Sequence, residues 1–210
     1  MEHLKQFKSH LLFPEDRRLR IEGPVPPETL QHLNMHPDLD AFRRPGDQHE
    51  ALVEIAGLSE GRIIAARDGD TIVGYVTFHY PEEQERWSQG SMEDLIELGA
   101  IEVADDYRSL GLGQKMIKTA FEDGQMEGYI VFTTEYYWHW DLQGSGLSVW
   151  DYRKMMERLM KVVDMEWYAT DDPEICSHPA NCLMVRIGSQ VPLSSQEQFD
   201  RIRFQQRFMY

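Results

Sequence analysis

Apolar and polar positions alternate over residues 18–22, the period of a short first strand. Gly23-Pro24-Val25-Pro26-Pro27 stops it, and Pro27 suits the start of a helix running to about residue 36. After Arg43-Arg44-Pro45-Gly46, residues 48–58 form a second amphipathic stretch, with Leu52, Ile55 and Ala56 on one face. Residues 62–66 and 71–80 read as two strands joined by the turn Asp68-Gly69-Asp70. A polar loop follows over 81–91. Residues 96–103 form a strand apolar on both faces, with Ile96, Leu98 and Ala100 on one side and Gly99, Ile101 and Val103 on the other. Such a strand belongs in the middle of a covered sheet.

Beyond it the pattern predicts a helix to about residue 126, a strand over 129–134 and an aromatic run, Tyr136-Tyr137-Trp138-His139-Trp140. Residues 148–162 read as helix with Trp150 and Met155 at core spacing, and 166–170 as strand. A proline-broken segment over 173–188 and a terminal helix over 195–208 complete the chain. Helices, a meander, then alternating strands and helices predict an α/β layer fold around one central mixed β-sheet flanked by helices. A chain of 210 residues fits one domain able to bury its own core.

The formal net charge of −15 narrows the partners. Such a chain repels a phosphate backbone and an acidic lipid surface, so nucleic-acid and membrane binding are not expected. Two cysteines, Cys176 and Cys182, are too few for a disulfide framework and suit a reducing compartment. No apolar leader opens the sequence, and no apolar stretch approaches the ~18 residues of a membrane helix. A soluble, cytoplasmic protein is expected.

Against that acidic background, one spot is locally basic. The 96–103 strand runs through Ala104-Asp105-Asp106-Tyr107 into Arg108-x-x-Gly111-x-Gly113 at a helix start, with Lys115 and Lys118 on the same helix. Glycines there let a ligand approach the backbone, and free N–H groups with the helix dipole attract phosphate. Arg108 adds a fixed cation. A two-glycine turn alone is a weak signal, and its bland reading is a tight loop. The spacing is neither a Rossmann fingerprint nor a P-loop.

Residues 98–113 resemble the acetyl-CoA-binding motif of GNAT N-acetyltransferases, in which a strand ending hydrophobic-x-Val leads to Arg/Gln-x-x-Gly-x-Gly/Ala. The superfamily resemblance covers about residues 61–170, within one domain spanning 1–210. It implies a GNAT-like fold and an acetyl-CoA site formed by Ile101, Glu102, Val103, Arg108, Ser109, Leu110, Gly111, Leu112, Gly113 and Gln114, with no metal. A closer resemblance, to the acetoin-utilisation acetyltransferases, covers the whole chain. It is carried by Gln48-His49-Glu50-Ala51-Leu52-Val53, by residues 92–103, by Thr133-Thr134-Glu135-Tyr136-Tyr137-Trp138-His139-Trp140-Asp141, by Ser177-His178-Pro179-Ala180-Asn181-Cys182-Leu183-Met184 and by Arg207-Phe208-Met209-Tyr210. That family implies a protein substrate, the AMP-forming acetyl-CoA synthetase, switched off by acetylation of an active-site lysine.

A lysine nucleophile must first lose a proton, so a base tuned near neutral pH helps. The resemblance places the family's glutamate at Glu97, eleven residues before Arg108. Apolar neighbours on the strand would raise its pKa. Glu97 stands ~13 Å from Ile101 at ~3.3 Å per residue, so a relay through water suits it better than direct contact. The alternative is a salt bridge at the strand's exposed start. Glu102, on the opposite face, is the weaker candidate. A backbone N–H near Ile101 or Val103 would meet the oxyanion. Tyr152 best matches the tyrosine that many such enzymes use to protonate the coenzyme thiolate. Here Tyr152-Arg153-Lys154-Met155-Met156 departs from the usual Tyr-x-x-x-Gly-Phe, and core packing is the competing role.

The 136–140 run could wall a protein-docking groove or form a packed aromatic layer. Cys176, His178 and Cys182 make a poor metal set, and Asp105-Asp106 and Asp171-Asp172 read as solvated loops or helix caps. Three functions stay open: a protein lysine acetyltransferase, a small-amine acetyltransferase, and a non-catalytic acetyl-CoA-binding module that regulates by contact.

Overall fold

The computed structural model describes residues 2–14 and 17–205. They fall into two compact units, one made of Glu2–His79 with Leu98–Gln125, the other of Tyr80–Glu97 with the chain from Met126 onward.

In the first unit, β1 (Lys8–Leu12) pairs antiparallel with β2 (Leu19–Gly23). The alternation over 18–22 predicted β2 but not β1, whose Ser9, His10 and Leu11 are exposed. An edge strand held mainly through its backbone carries little hydrophobic pattern. The helix expected to reach residue 36 is one turn, α1 (Pro27–Leu30), followed by the two-residue strand β3 (Asn34–Met35). The next helix, α2 (Pro45–Gly57), starts earlier than expected because Pro45 occupies its first turn, where no N–H is missed. It buries Leu52 and Ala56. β4 (Arg62–Asp68) and β5 (Thr71–His79) form the expected hairpin, with Gly69 in the left-handed region at φ 58°.

β6 (Leu95–Val103) follows and supplies residues to both units. Its first four residues are buried, but Gly99 is exposed and Ala100, Ile101 and Val103 are half-buried. The expectation of a strand covered along its whole length therefore holds only for the first part. α3 (Leu112–Phe121) ends short of residue 126, where a 3-10 turn over Gln125–Gly128 begins. In this unit α2 joins a core cluster with Leu30, Ile63, Ala65 and Tyr75. Phe121 of α3 meets Phe78 edge-on at 6.1 Å.

In the second unit, the start of β6 pairs parallel with β7 (Ile130–Glu135), from Leu95↔Ile130 to Glu97↔Phe132. After the short α4 (Leu142–Ser145) comes α5 (Val149–Met160), capped by Ser148, whose hydroxyl accepts from the Asp151 N–H at 3.1 Å. Its core positions are Met156 and Met160, not Trp150, which is 49% exposed, or Met155, which is half-buried. β8 (Glu166–Tyr168) is the expected strand. The segment over 173–188, read as proline-broken, holds α6 (Pro173–Cys176) and a buried strand, β9 (Cys182–Ile187). β9 lies between β7 and β8, antiparallel to both. A short apolar run does not reveal its own conformation; pairing decides it. α7 (Leu193–Arg203) corresponds to the terminal helix, and residues 206–210, with the Arg207–Tyr210 motif, lie outside the described residues.

The strands form one mixed sheet in the order β1-β2-β4-β5-β6-β7-β9-β8, with β3 beside β5. This is the α/β architecture expected from the sequence. Among the described residues, no helix is long and apolar enough to cross a membrane.

Candidate active site

The loop after β6 is locked in place by local chemistry. The Ala104 N–H donates to Val73 O at 2.9 Å, and Tyr107 OH donates to Asp68 Oδ2 at 2.8 Å. Arg108 donates from Nε to Val103 O at 3.3 Å and pairs through Nη2 with Asp105 at 2.9 Å. The chain then takes two left-handed turns, at Ser109 (φ 70°) and Gly111 (φ 72°). Gly111 is the N-cap of α3, and no side chain caps that end. A Cβ on Gly111 would meet nothing within 4 Å, so the backbone angle, not crowding, requires glycine. Leu112 anchors the helix from below with Met116 and Ile117, while Ser109 and Gln114 are exposed, as are Lys115 and Lys118. The result is an open cradle of uncapped N–H groups beside cations, a chemistry that fits a pyrophosphate.

Glu102 behaves as a brace. It is 7% exposed, and its two oxygens accept from the Ala41 N–H at 2.8 Å and from Tyr75 OH at 2.6 Å. Burial, and then this bond, push the Tyr75 hydroxyl pKa well above its usual value. The carboxylate is committed to donors from two other segments, so it is not free to take a substrate proton.

Glu97 is the opposite case. It is 8% exposed, which overturns the picture of a solvated glutamate at a strand end. No hydrogen-bond or salt-bridge partner for its carboxylate occurs among the described residues. Register puts it on the face of Leu95 and Phe132, where Trp87 packs at 5.2 Å from the Phe132 ring and 6.1 Å from Phe199. Burial, and then Glu85 and Glu82, push its pKa up to about 8.

Tyr152 lies elsewhere. It is half-buried on α5 and stacks on Trp140, with centroids 5.2 Å apart and planes at 17°. Trp140 in turn donates its indole N–H to Glu135 Oε2 at 3.0 Å. Glu135 is three residues beyond Phe132 on β7, hence on the face away from Glu97. The structure does not bring Glu97 and Tyr152 to one face of the strand pair. Glu135 is a buried carboxylate that the sequence analysis did not single out. Burial lifts its pKa to about 7 although the Trp140 bond acts the other way. It stood one residue past a predicted strand end, and only its pairing with Cys182 reveals the burial. The neighbouring Cys182 thiol is pushed up to about 12, by burial and then by Glu135, which leaves it unreactive.

The aromatic run divides between the two expectations. Tyr136 packs against the core cluster around Phe132 and stacks on Trp138 at 4.9 Å. Trp138 remains 46% exposed. His178 is taken up by Tyr137 at 4.2 Å and by Trp150 at 6.4 Å. No group of His, Cys, Asp or Glu that could hold a metal occurs among the described residues. Asp172 caps α6, as the sequence suggested, and with Asp171 it also pairs with Arg86.

Comparison with known proteins follows the same line. Residues 29–139 match the model of the acetyltransferase (GNAT) family. Across the full length of both chains, the protein is 60% identical to the acetoin utilization protein AcuA of Bacillus subtilis and 57% identical to that of Bacillus licheniformis. The crystal structure of an acetoin utilization protein from Exiguobacterium sibiricum is similar at a TM-score of 0.96 and 53% identity, over 99% of this chain and 98% of that one.

Proposed function

The chain belongs to the GNAT family of acetyltransferases, and on that premise we propose that it acetylates a lysine of the AMP-forming acetyl-CoA synthetase and thereby switches that enzyme off. That it is an acetyl-CoA-dependent N-acetyltransferase follows from its family and relatives. The observation that carries the mechanism is Glu97, a buried carboxylate without a partner on the strand that leads into the Arg108–Gly113 cradle.

Bound acetyl-CoA would supply an activated thioester, open to direct attack by an amine. The uncapped N–H groups around Gly111, Leu112, Gly113 and Gln114, with Arg108, Ser109 and Leu110, would hold its pyrophosphate. The last part of β6 would offer backbone N–H groups near Ile101 and Val103 to the carbonyl oxygen as charge develops. Glu97 would take one proton from the acceptor ammonium through water, freeing the nitrogen lone pair. As the new C–N bond forms and the C–S bond breaks, the coenzyme would leave as a thiolate that takes its proton from water, since Tyr152 stacks on Trp140 on the face away from Glu97.

The acceptor is inferred from the resemblance to acetoin-utilisation proteins together with charge. A chain of formal charge −15 favours a basic, lysine-bearing surface in the cytoplasm. Mixing the protein with acetyl-CoA synthetase and acetyl-CoA, followed by mass spectrometry, should reveal one dominant acetyl-lysine and parallel loss of synthetase activity. Diffuse labelling, or faster acetylation of free polyamines, would reject this acceptor.

A further inference from the structure

We propose that His79 is a second proton acceptor of the acetyl transfer, standing over the stretch of β6 that leads to the thioester carbonyl. This rests on the reading of the β6 backbone near Ile101 and Val103 as the carbonyl site, and not on the role of Glu97.

His79 ends β5, and the neighbouring strand β6 keeps a place for its ring. A Cβ on Gly99 would collide with the imidazole, with Nε2 nearest and Cε1 and Cδ2 at 3.1 and 3.2 Å. Gly99 takes no left-handed angle. The His79 ring, not the backbone, is therefore what requires glycine at this position, the reverse of Gly111.

The faces of the two strands agree with this placement. Phe78 points to α3, where it meets Phe121, so His79, one residue on, points to the other side of the sheet. That is the side of Tyr75, which joins the core cluster of α2 and donates to Glu102. Ala100 packs against the same cluster. Gly99 and Ala100 are consecutive, yet the Gly99 side-chain position and the Ala100 methyl lie on one side. Regular alternation forbids this, whereas a β-bulge produces it and leaves one residue out of the ladder. The strand opens at the same point: Leu98 is buried, Gly99 exposed, and Ala100 and Ile101 half-buried. The imidazole thus stands at the start of the open stretch, two residues before Ile101, a span of ~7 Å along the strand.

The chemistry leaves a task for such a group. Transfer of an acetyl group to R–NH3+ sheds two protons from the nitrogen. The first leaves before attack and frees the lone pair. Once the nitrogen has bonded to the carbonyl carbon, it is positively charged and holds one proton more than the product amide. His79 accepts that proton at its imidazole lone pair. The C–S bond then breaks with its electron pair on sulfur, the thiolate takes a proton from water, and the imidazolium returns its own to water. Nothing is oxidised or reduced. Imidazole suits the step because it takes up and releases protons readily near neutral pH. Loss of the second proton also commits the adduct, since an uncharged nitrogen is a poorer leaving group than the thiolate.

The test uses the full chain carrying His79→Gln, His79→Ala or Gly99→Ala, with acetyl-CoA synthetase and Nα-acetyl-lysine amide as parallel acceptors. His79→Gln should lower kcat by about 10²-fold, with acetyl-CoA affinity by calorimetry near the parent's. Free imidazole should restore part of the rate in His79→Ala, because it can enter the space over Gly99. Gly99→Ala should lower kcat as well, by pushing the ring aside. Parent kcat in folded His79→Gln overturns the proposal. So does a rate loss in His79→Ala that imidazole does not repair, which would assign the ring to packing. Glu97→Gln, measured alongside, decides the base separately: a parent-like kcat there would reject Glu97, and imidazole rescue would still decide His79. A parent protein that binds no acetyl-CoA would reject the carbonyl site and this proposal with it.

Discussion

Glu97 and Glu102 stand five residues apart on β6 and are buried alike, at 8% and 7% exposure, yet they have opposite surroundings. Glu102 meets a backbone N–H and a tyrosine hydroxyl at hydrogen-bond distance and ties three segments together. Glu97 lies on the face of Leu95 and Phe132, and burial, then the charges of Glu85 and Glu82, push its pKa up. Burial alone therefore does not mark a functional acid. The supply of donors does: a satisfied carboxylate stabilises the fold, whereas an unsatisfied one is held ready for a ligand or a proton.

The largest expected effect tests that division at the chemical step. Glu97→Gln should lower kcat by about 10²–10⁴-fold, the usual cost of removing a general base, with acetyl-CoA affinity near normal by calorimetry. In the unmodified enzyme, kcat/KM should rise with pH through about 8, where Glu97 ionises, and this limb should vanish in the variant. A variant with wild-type kcat at pH 7 would erase the distinction between the two glutamates.

A smaller effect, of a different kind, is expected at Glu102. Glu102→Met keeps the length of the side chain but leaves the Ala41 N–H and the Tyr75 hydroxyl without their acceptor, so the buried bonds are lost. The loss should be about 1–3 kcal/mol in urea unfolding. Stability equal to the parent would mean that the brace contributes nothing.

The last expected effect concerns stability and pH. Glu97 holds its proton more tightly folded, at about 8, than its ordinary value of 4.5. The folded state thus binds more protons than the unfolded state between these values, and stability falls as pH rises from 4.5 through about 8. Glu97→Gln removes this dependence. Its Tm should exceed the parent's at alkaline pH, where the parent must bury a charge, and match it near pH ~4. A constant offset across the range would show that the carboxylate does not titrate in this window.

Much of this molecule is legible along the chain because local physics writes it there. The β4–β5 hairpin follows from alternation around Asp68-Gly69-Asp70, and Gly69 does take the left-handed angle that such a turn needs. The Arg108-x-x-Gly111-x-Gly113 step announces a helix start with exposed N–H groups, and the uncapped N-terminus of α3 is found there. These features depend on residues close in sequence, where turn geometry and periodicity suffice.

Other features exist only through pairing. β1 has mostly polar, exposed side chains and is a strand because β2 accepts it. β9 lies in a segment that reads as proline-broken and is a buried strand because β7 and β8 flank it. The same holds for the acids. The family resemblance ranked Glu97 above Glu102, but no local pattern told their surroundings apart or marked Glu135 and Glu85, since each is one glutamate among polar and apolar neighbours. What separates them is whether another residue of the fold supplies a donor: the distant Ala41 and Tyr75 to Glu102, the nearby Trp140 to Glu135, and none to Glu97 or to Oε2 of Glu85 among the described residues. Sequence sets the backbone's local choices, but desolvation and hydrogen-bond supply are sums over residues far apart in the chain, so only the folded structure could decide them.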